Sequence, residues 1–162
     1  MSVTVSNHPV LLHKLTLLRK SSTTTKVFRE LLREITFYLG YEATQNISVK
    51  DIDIETPNAA SKGKKLDTKC LLVPILRSGL GMVDPMLDLL PFSEIYHLGM
   101  YRQRQSLVPV VYYDNLPRNT HCEIAIILEP MVATGKSSNG VEFITSLLCL
   151  FSKLVLFLNF VL

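Results

Sequence analysis

The sequence predicts an α/β fold in which helices flank an open, mainly parallel sheet. Two short, unbroken apolar runs, Cys70–Leu76 and Ile124–Leu128, are bounded by turn residues, as expected of strands that are buried on both faces of a parallel sheet. Each run is followed by a loop that contains glycine and then by a helical pattern. Strand-loop-helix units of this kind are typical of an open parallel sheet.

The composition is that of a folded protein. Of the 162 residues, 48% are hydrophobic, and seven Phe and six Tyr add to the apolar volume. A chain of this length can form one domain, residues 1–162, with a substantial core. The formal net charge of +3 is modest, and most of the basic excess lies at Lys62, Lys64, Lys65 and Lys69. We therefore expect no nucleic-acid partner.

Three cysteines, Cys70, Cys122 and Cys149, are widely spaced within apolar stretches. We expect buried free thiols in a reducing compartment rather than disulfides or a metal site. The N-terminus shows no secretory signal pattern, and Leu147–Leu162 is too short and too interrupted by polar residues for a membrane span. These observations predict a cytoplasmic protein with no membrane partner.

Two helices are predicted near the N-terminus. Val10–Lys20 carries apolar residues at helical spacing, and Val27–Leu39 follows a polar run, Ser21–Thr25, which can supply its N-cap. The apolar face of the second helix consists of Val27, Phe28, Leu31, Leu32, Ile35 and Leu39. The opposite face alternates in charge at Arg29, Glu30, Arg33 and Glu34, which is typical of a solvated surface.

A hairpin arm is predicted next, because Ile52 and Ile54 alternate with acidic residues, the pattern of an edge strand. Pro57–Lys65 is predicted to be a loop, and Lys62–Lys65 at its end to be a solvated tip. Ile95–Met100 is predicted to be a third buried strand.

The segment after this strand is predicted to extend away from the sheet and return, which we call the excursion. Tyr101–Leu107 carries Arg102 and Arg104, and Val108–Tyr113 returns as an extended segment. We interpret the excursion as a mobile flap, and an exposed hairpin with solvated arginines is the alternative. Towards the end of the chain, Val141–Leu150 is predicted to be helical and Lys153–Leu162 to form a further buried strand.

The loops after the two buried strands suit an anion. Arg77 lies where the first strand ends, and Gly79 and Gly81 after it are expected to let the backbone approach a ligand. A surface arginine in a glycine turn would show the same pattern. The second loop, Ala133–Ser137, offers small residues and hydroxyl groups before a helix, whose unpaired N–H groups and dipole favour a phosphate. Because strand carboxyl ends converge on one crevice, the two loops can hold the two ends of one phosphorylated ligand.

Three segments carry a resemblance to a known family. Glu129–Ser137 resembles the phosphoribosyl-diphosphate (PRPP) loop of uracil phosphoribosyltransferases, usually written D-P-M-L-A-T-G-G-S. Val73–Met82 resembles the pyrophosphate-side loop of that family, and Gly99–Arg102 resembles its second arginine motif. His8–Arg19 and Tyr41–Ala43 also match. The resemblance implies a type I phosphoribosyltransferase-like fold with N-terminal helices and a β-hairpin flap.

The resemblance also implies a reaction and roles for individual residues. Uracil and PRPP would give UMP and pyrophosphate, with Mg²⁺ carried by PRPP rather than by a direct protein ligand. Arg77, Arg102 and Glu129 would be the catalytic residues, the arginines on the pyrophosphate and the carboxylate on the ribose hydroxyls. The PRPP-binding set would be completed by Pro130, Met131, Val132, Ala133, Thr134, Gly135, Lys136 and Ser137. A homo-oligomer and a GTP effector are implied by the family alone.

The sequence departs from the family pattern at three points. Glu129 stands where the family has Asp, and Lys136 replaces the second glycine of the motif. The uracil-reading segment near the family's C-terminus has no counterpart before Leu162, so no base-binding residue is assigned and a C-terminally truncated chain is expected. An impaired or inactive homologue that binds PRPP or nucleotide, or acts as an assembly subunit, is therefore the alternative.

A nucleoside triphosphatase is a second alternative, because Gly135-Lys136-Ser137 after a buried strand imitates the end of the motif G-x-x-x-x-G-K-S. The first glycine of that motif would fall at position 130, which is proline. The motif is therefore incomplete.

Overall fold

The structure is a computed structural model that describes residues 4–103, 109–115, 122–130 and 154–158. The helices are α1 (Pro9–Arg19), α2 (Thr25–Ala43) and α3 (Val83–Leu89), the last preceded by a short 3-10 helix at Ser78–Met82. The strands are β1 (Val49–Glu55), β2 (Ala60–Leu66), β3 (Cys70–Leu76), β4 (Glu94–Ile95), β5 (Leu98–Arg102), β6 (Pro109–Asp114), β7 (Ile124–Leu128) and β8 (Leu154–Leu158).

The main sheet is open and mainly parallel, as predicted. Its described strands run in the order β6-β5-β3-β7-β8, with β4 also beside β3. Strand β3 pairs in parallel with β4, β5 and β7, and β7 pairs in parallel with β8, whereas β6 is antiparallel to β5. The two apolar runs of the sequence are β3 and β7, with the predicted bounds, and they pair directly with each other.

Side chains alternate between the two faces of the sheet and form two apolar clusters. Leu72, Ile126 and Leu128 point to the face on which the helices pack, and Leu71 and Ile127 belong to the opposite cluster. The helices contribute to the first cluster Leu11, Leu18, Leu31, Leu32, Ile35, Met82 and Met86. Both faces of β3 and β7 are therefore removed from water, which stabilises the central pair of strands by the hydrophobic effect.

The two N-terminal helices are confirmed. The hydroxyl of Thr24 accepts a hydrogen bond from the N–H of Val27, so the predicted polar run does supply the N-cap of α2. Leu31 and Ile35 are buried as predicted, but Val27 and Phe28 are exposed by 42% and 39%. Leu31 is the first residue of α2 in the core cluster, so the first turn of this helix lies outside the cluster.

The charged face of α2 is exposed and forms ion pairs with its neighbours. Lys14 of α1 donates to Glu34 at 2.6 Å, and Arg33 donates to Asp88 of α3 at 2.7 Å. Because the partners are solvated, each pair contributes at most about 1 kcal/mol. The packing of α2 therefore depends on its apolar face.

The prediction of a loop at Pro57–Lys65 was wrong for most of that segment. Strand β2 occupies Ala60–Leu66 and pairs antiparallel with β1, so that Asp53 lies opposite Lys62 and Asp51 opposite Lys64. Both opposite pairs form ion pairs, the first at 3.2 Å. Cross-strand charge pairs of this kind stabilise a hairpin whose second strand has little apolar character.

The predicted third strand and the extended segment that returns after it are confirmed in outline. The predicted strand is divided into β4 and β5 around Tyr96, whose N–H donates to the carbonyl of Leu72. Strands β5 and β6 form the expected antiparallel hairpin, and the rings of Tyr101 and Tyr112 are in contact, with centroids 6.1 Å apart. Arg104 lies outside the described residues.

The end of the chain is described only at β8. This strand confirms part of the predicted strand Lys153–Leu162, and the predicted helix Val141–Leu150 lies outside the described residues. Within the described ranges, no helix is both long and apolar enough to cross a membrane.

Two of the cysteines are buried thiols, as expected. Cys70 begins β3, and the thiol of Cys122 lies 4.0 Å from the carbonyl oxygen of Cys70. Burial, followed by the nearby Cys122 and Glu123, raises the pKa of the Cys70 thiol to about 11. Cys149 lies outside the described residues.

This raised pKa predicts a loss of stability at alkaline pH. The ordinary pKa is 9.0, and the folded value is about 11. The contribution of Cys70 to the free energy of unfolding is therefore fully present below pH 9 and is lost as the pH rises towards 11, because only the unfolded chain releases the thiol proton between these values. The free energy of unfolding falls by about 2 to 3 kcal/mol over this range.

Urea denaturation of the wild type and of Cys70→Ala, both under reducing conditions, measures this effect. The difference between their free energies of unfolding should shrink from pH 8.5 to pH 10.5. A difference that stays constant over this range would contradict the assignment.

Gly79 generates a second prediction. It is buried in the 3-10 helix, and a Cβ atom there would overlap the carbonyl oxygen of Leu128 and lie 3.1 Å from the Cα of Pro74. Both neighbours are backbone of the central strands and cannot move aside. Gly79→Ala should therefore lower the free energy of unfolding by about 1 to 3 kcal/mol.

Gly81→Ala is the matched control, because it lies in the same short helix and its Cβ would meet only the end of the Leu32 side chain, at 2.9 Å. We expect its cost to stay below about 1 kcal/mol. Equal losses for the two variants in chemical denaturation would show that the contact with Leu128 does not matter.

Candidate active site

The candidate site lies at the carboxyl ends of three parallel strands. In the order β5, β3, β7 these strands are neighbours, and each is directly parallel to the next. Arg102 is the last residue of β5, Arg77 follows β3, and Glu129 follows β7. The structure therefore places the three predicted catalytic residues at one edge of the sheet, where open parallel sheets form their binding crevices.

The loops after β3 and β7 begin side by side. The last paired residues are Pro74 and Leu128, so β3 continues for two residues beyond the pairing and Glu129 follows at once on the other strand. The hydroxyl of Ser78 then donates a hydrogen bond to the carboxylate of Glu129, at 3.0 Å from Oε1 and 3.1 Å from Oε2. The two loops are joined directly by this contact.

Backbone packing also joins the loops. Because Gly79 is in close approach to the carbonyl of Leu128, the first turn after β3 lies against the end of β7. We predicted that Gly79 and Gly81 let the backbone approach a ligand. At Gly79 the structure shows a different close approach, to the neighbouring strand. None of the described glycines has a positive φ angle, so conformational freedom is not the reason for glycine here.

Arg77 has an exposed side chain at the start of the 3-10 helix. The peptide bond between Leu76 and Arg77 is cis. Among the residues that the structure describes, no carboxylate lies within salt-bridge distance of the Arg77 guanidinium. Its charge is therefore not neutralised by a described acidic residue.

Arg102 ends β5 on the other side of β3. The last pair between these two strands is Leu76 with Gly99, so the backbone of Arg102 lies three residues further along. At about 3.3 Å per residue this places its backbone roughly 10 Å beyond the end of that pairing, where Arg102 pairs with Pro109 at the connecting end of the β5–β6 hairpin.

The PRPP loop is described only in part. Glu129 and Pro130 are half-buried after β7. Met131–Ser137, which contains Thr134 and the departure at Lys136, lies outside the described residues, and its proposed contacts stay predictions. Within the described residues, no three His, Cys, Asp or Glu side chains are grouped as metal ligands.

Ser78 is the residue that the sequence reasoning missed. It stands between Arg77 and Gly79 in a segment that was already singled out, but the reasoning considered only the arginine and the glycines. A hydroxyl that follows the arginine of an anion loop is a signal, although its partner is 51 residues away.

Comparison with known proteins identifies the family. The sequence model of the family described as "Uracil phosphoribosyltransferase" matches residues 5–161. Uracil phosphoribosyltransferase of Alkaliphilus oremlandii is 49% identical over 144 residues, which are 88% of this chain and 69% of the relative. The enzyme of the same name from a Roseiflexus species is 47% identical, over 84% of this chain and 65% of the relative. The chain spans about two thirds of the length of these curated relatives.

Solved structures agree on the fold. A protein from Aquifex aeolicus matches with a TM-score of 0.84 and 29% identity, over 98% of this chain and 75% of that one. A hypoxanthine phosphoribosyltransferase from Staphylococcus aureus matches with a TM-score of 0.54 over 91% of this chain and 69% of that one, and at 14% identity it supports the fold alone. The predicted type I phosphoribosyltransferase-like fold is confirmed.

The family match covers the two arginine segments and the loop after β7, on which the resemblance was based. It argues against the nucleoside triphosphatase alternative. The chain belongs to the uracil phosphoribosyltransferase family.

Proposed function

We propose that this chain acts as a uracil phosphoribosyltransferase of pyrimidine salvage, which converts uracil and PRPP into UMP and pyrophosphate. The observation that carries the proposal is the alignment of Arg102, Arg77 and Glu129 at the carboxyl ends of three adjacent parallel strands. Two cations and one carboxylate at one sheet edge suit a ligand that has a diphosphate at one end and ribose hydroxyl groups beside it.

The reaction depends on charge at the leaving group. N1 of uracil attacks C1 of the ribose, the C1–O bond to pyrophosphate breaks, and positive charge develops on the ribose ring while negative charge develops on the leaving oxygen. In the proposed mechanism Arg77 and Arg102 bind the pyrophosphate and stabilise that negative charge. Guanidinium groups suit this role because they stay charged and donate two parallel hydrogen bonds to phosphate oxygens. No nucleophilic side chain is required.

The loop after β7 binds the other end of PRPP in this proposal. Glu129 accepts hydrogen bonds from the ribose hydroxyl groups, and Met131–Ser137 holds the 5-phosphate through backbone N–H and hydroxyl groups. These contacts fix the reacting carbon relative to the incoming base, and orientation of this kind supplies a large part of the rate enhancement in such reactions.

Magnesium enters the proposal as part of the substrate. Mg²⁺ prefers phosphate oxygens and water to an all-protein set of ligands, so the Mg²⁺ complex of PRPP is the form that we expect to bind. Binding of PRPP measured with and without Mg²⁺ tests this point.

A titration with PRPP and Mg²⁺ followed by a uracil turnover assay tests the proposed function. Binding together with UMP formation would support it. Binding without turnover would favour the alternative of a homologue that binds PRPP without catalysis. No binding of PRPP at concentrations up to the millimolar range would contradict both of these and would favour the assembly subunit.

Three further proposals stand beside this one. A homo-oligomeric state and a GTP effector rest on the family resemblance alone, and a cytoplasmic location rests on the free buried cysteines. The mass of the particle in solution tests the first, turnover with and without GTP the second, and imaging of the tagged protein in its source cell the third.

Replacement of Arg77 tests the pyrophosphate side of the site. Arg77→Ala should weaken PRPP binding at least several fold, because charge-assisted hydrogen bonds to the diphosphate are lost. Arg77→Lys should recover part of the affinity, since it keeps the charge but not the two parallel donors. Isothermal titration calorimetry provides the measurement.

Arg29→Ala is the control for this experiment. It removes the same charge from an exposed position on α2, far along the chain from the strand ends. Affinity for PRPP should be unchanged in this variant. An unchanged affinity in Arg77→Ala as well would contradict the role of Arg77.

A further inference from the structure

We propose that Ser78 is a positioning residue that holds the carboxylate of Glu129 in place for the ribose hydroxyl groups, so that Ser78 and Glu129 act as one functional pair. The inference rests on the proposed function, because it assigns to Ser78 an effect on the ribose contact of that same site. It concerns a residue for which the sequence reasoning gave no role.

The contact itself is the first observation. The Ser78 hydroxyl lies almost equally far from both carboxylate oxygens of Glu129, 3.0 Å from Oε1 and 3.1 Å from Oε2. A hydroxyl in this position fixes the direction of the carboxylate as well as its distance. A carboxylate has about four acceptor positions, and a single hydroxyl donor uses only one of them at a time.

The backbone at both ends of the contact is the second observation. Gly79, the residue after Ser78, fits closely against the carbonyl of Leu128, the residue before Glu129. The parallel pairing of β3 and β7 extends to Pro74 and Leu128, immediately before the two loops, and fixes this arrangement. The main chain of Ser78 and that of Glu129 are therefore fixed relative to each other, and the hydrogen bond has to order only the Glu129 side chain.

The length of Glu129 is the third observation. The family motif that this segment resembles has Asp at the position, and Glu adds one methylene group and one more rotatable bond. A longer side chain loses more conformational entropy when it is held in one orientation. A bond from Ser78 selects one conformer before the substrate binds, so less of this cost falls on binding.

Shortening the acid should therefore separate the pair. In Glu129→Asp the carboxylate is drawn back by about 1.5 Å, the length of one carbon–carbon bond, and lies beyond hydrogen-bond distance of Ser78. The effect of removing the Ser78 hydroxyl should then depend on which acid is present at position 129. A double-mutant cycle measures this dependence.

We expect Ser78→Ala to weaken PRPP binding about three- to ten-fold when Glu129 is present, in the range of one hydrogen bond to a charged group that is partly exposed. When Asp replaces Glu129, the same substitution should change the affinity less than two-fold, the usual error of such a comparison. Ser78→Thr keeps the hydroxyl and should restore most of the affinity of the wild type.

Magnesium pyrophosphate is the control ligand, because it has no ribose. Its affinity should be the same for wild type and Ser78→Ala if Ser78 acts through Glu129 on the ribose. Equal weakening of PRPP and pyrophosphate would overturn the inference, since it would indicate general distortion of the loop after β3. Tighter PRPP binding in Ser78→Ala would also overturn it, because Ser78 would then compete with the ribose for Glu129.

The outcomes separate this inference from the proposed function. Suppose that the wild type binds PRPP and forms UMP. If Ser78→Ala then has the same affinity for PRPP as the wild type, or loses the same factor with Glu129 and with Asp at that position, the proposed function stands and the pairing of Ser78 with Glu129 is contradicted. If the wild type does not bind PRPP, the proposed function fails and the pairing fails with it.

Discussion

The parallel pairing of β3 with β7 is the constraint on which the rest of the structure depends. Five successive pairs, from Cys70 with Ile124 to Pro74 with Leu128, set the two strands in register. Their side chains are buried on both faces of the sheet. A shift of register would therefore displace apolar side chains on both faces and would also break the backbone hydrogen bonds between the strands. Because the register is fixed, the points at which the two chains leave the sheet are fixed as well. Arg77 and Glu129 owe their proximity to this register and not to any contact between their own side chains.

This constraint explains which parts could be predicted from the sequence. Strands β3 and β7 were predicted with correct bounds, because a continuous apolar run between turn residues has few other interpretations. Strand β2 was missed because its sequence, Ala-Ser-Lys-Gly-Lys-Lys-Leu, has no apolar alternation and would suit a solvated loop equally well. Its antiparallel pairing with β1 makes it a strand, and the acidic residues of β1 that lie opposite its lysines become informative only when the register is known. The division of the third strand around Tyr96 was also not predictable, since the apolar content continues through it.

The candidate site shows the same division between local and long-range information. Arg77, Arg102 and Glu129 could be proposed from local motifs, because each follows a recognisable strand. The hydrogen bond from Ser78 to Glu129 could not be proposed in this way. It joins residues 51 positions apart and depends on the register that sets where one strand ends relative to the other. Gly79 was singled out for the right feature, close approach, but the structure adds a partner that the sequence did not indicate, the Leu128 carbonyl. Local sequence patterns identified the candidate residues, and the pairing of the strands determines which of them are in contact.

A site assembled in this way separates rigid parts from adjustable ones. The backbone of the loop after β3 is held by contact with β7, so the backbone position of Arg77 is fixed. The side chains of Arg77 and Glu129, by contrast, are long and can take several conformations. In the proposed mechanism Arg77 needs no further support, because a diphosphate presents many acceptor oxygens and accepts a range of guanidinium positions. In the proposed mechanism Glu129 must meet two hydroxyl groups on one side of a ribose ring, and an error of about one ångström at a reacting centre is costly. The carboxylate is therefore the group that benefits most from a neighbouring donor, and it is at this carboxylate that the structure places the hydroxyl of Ser78.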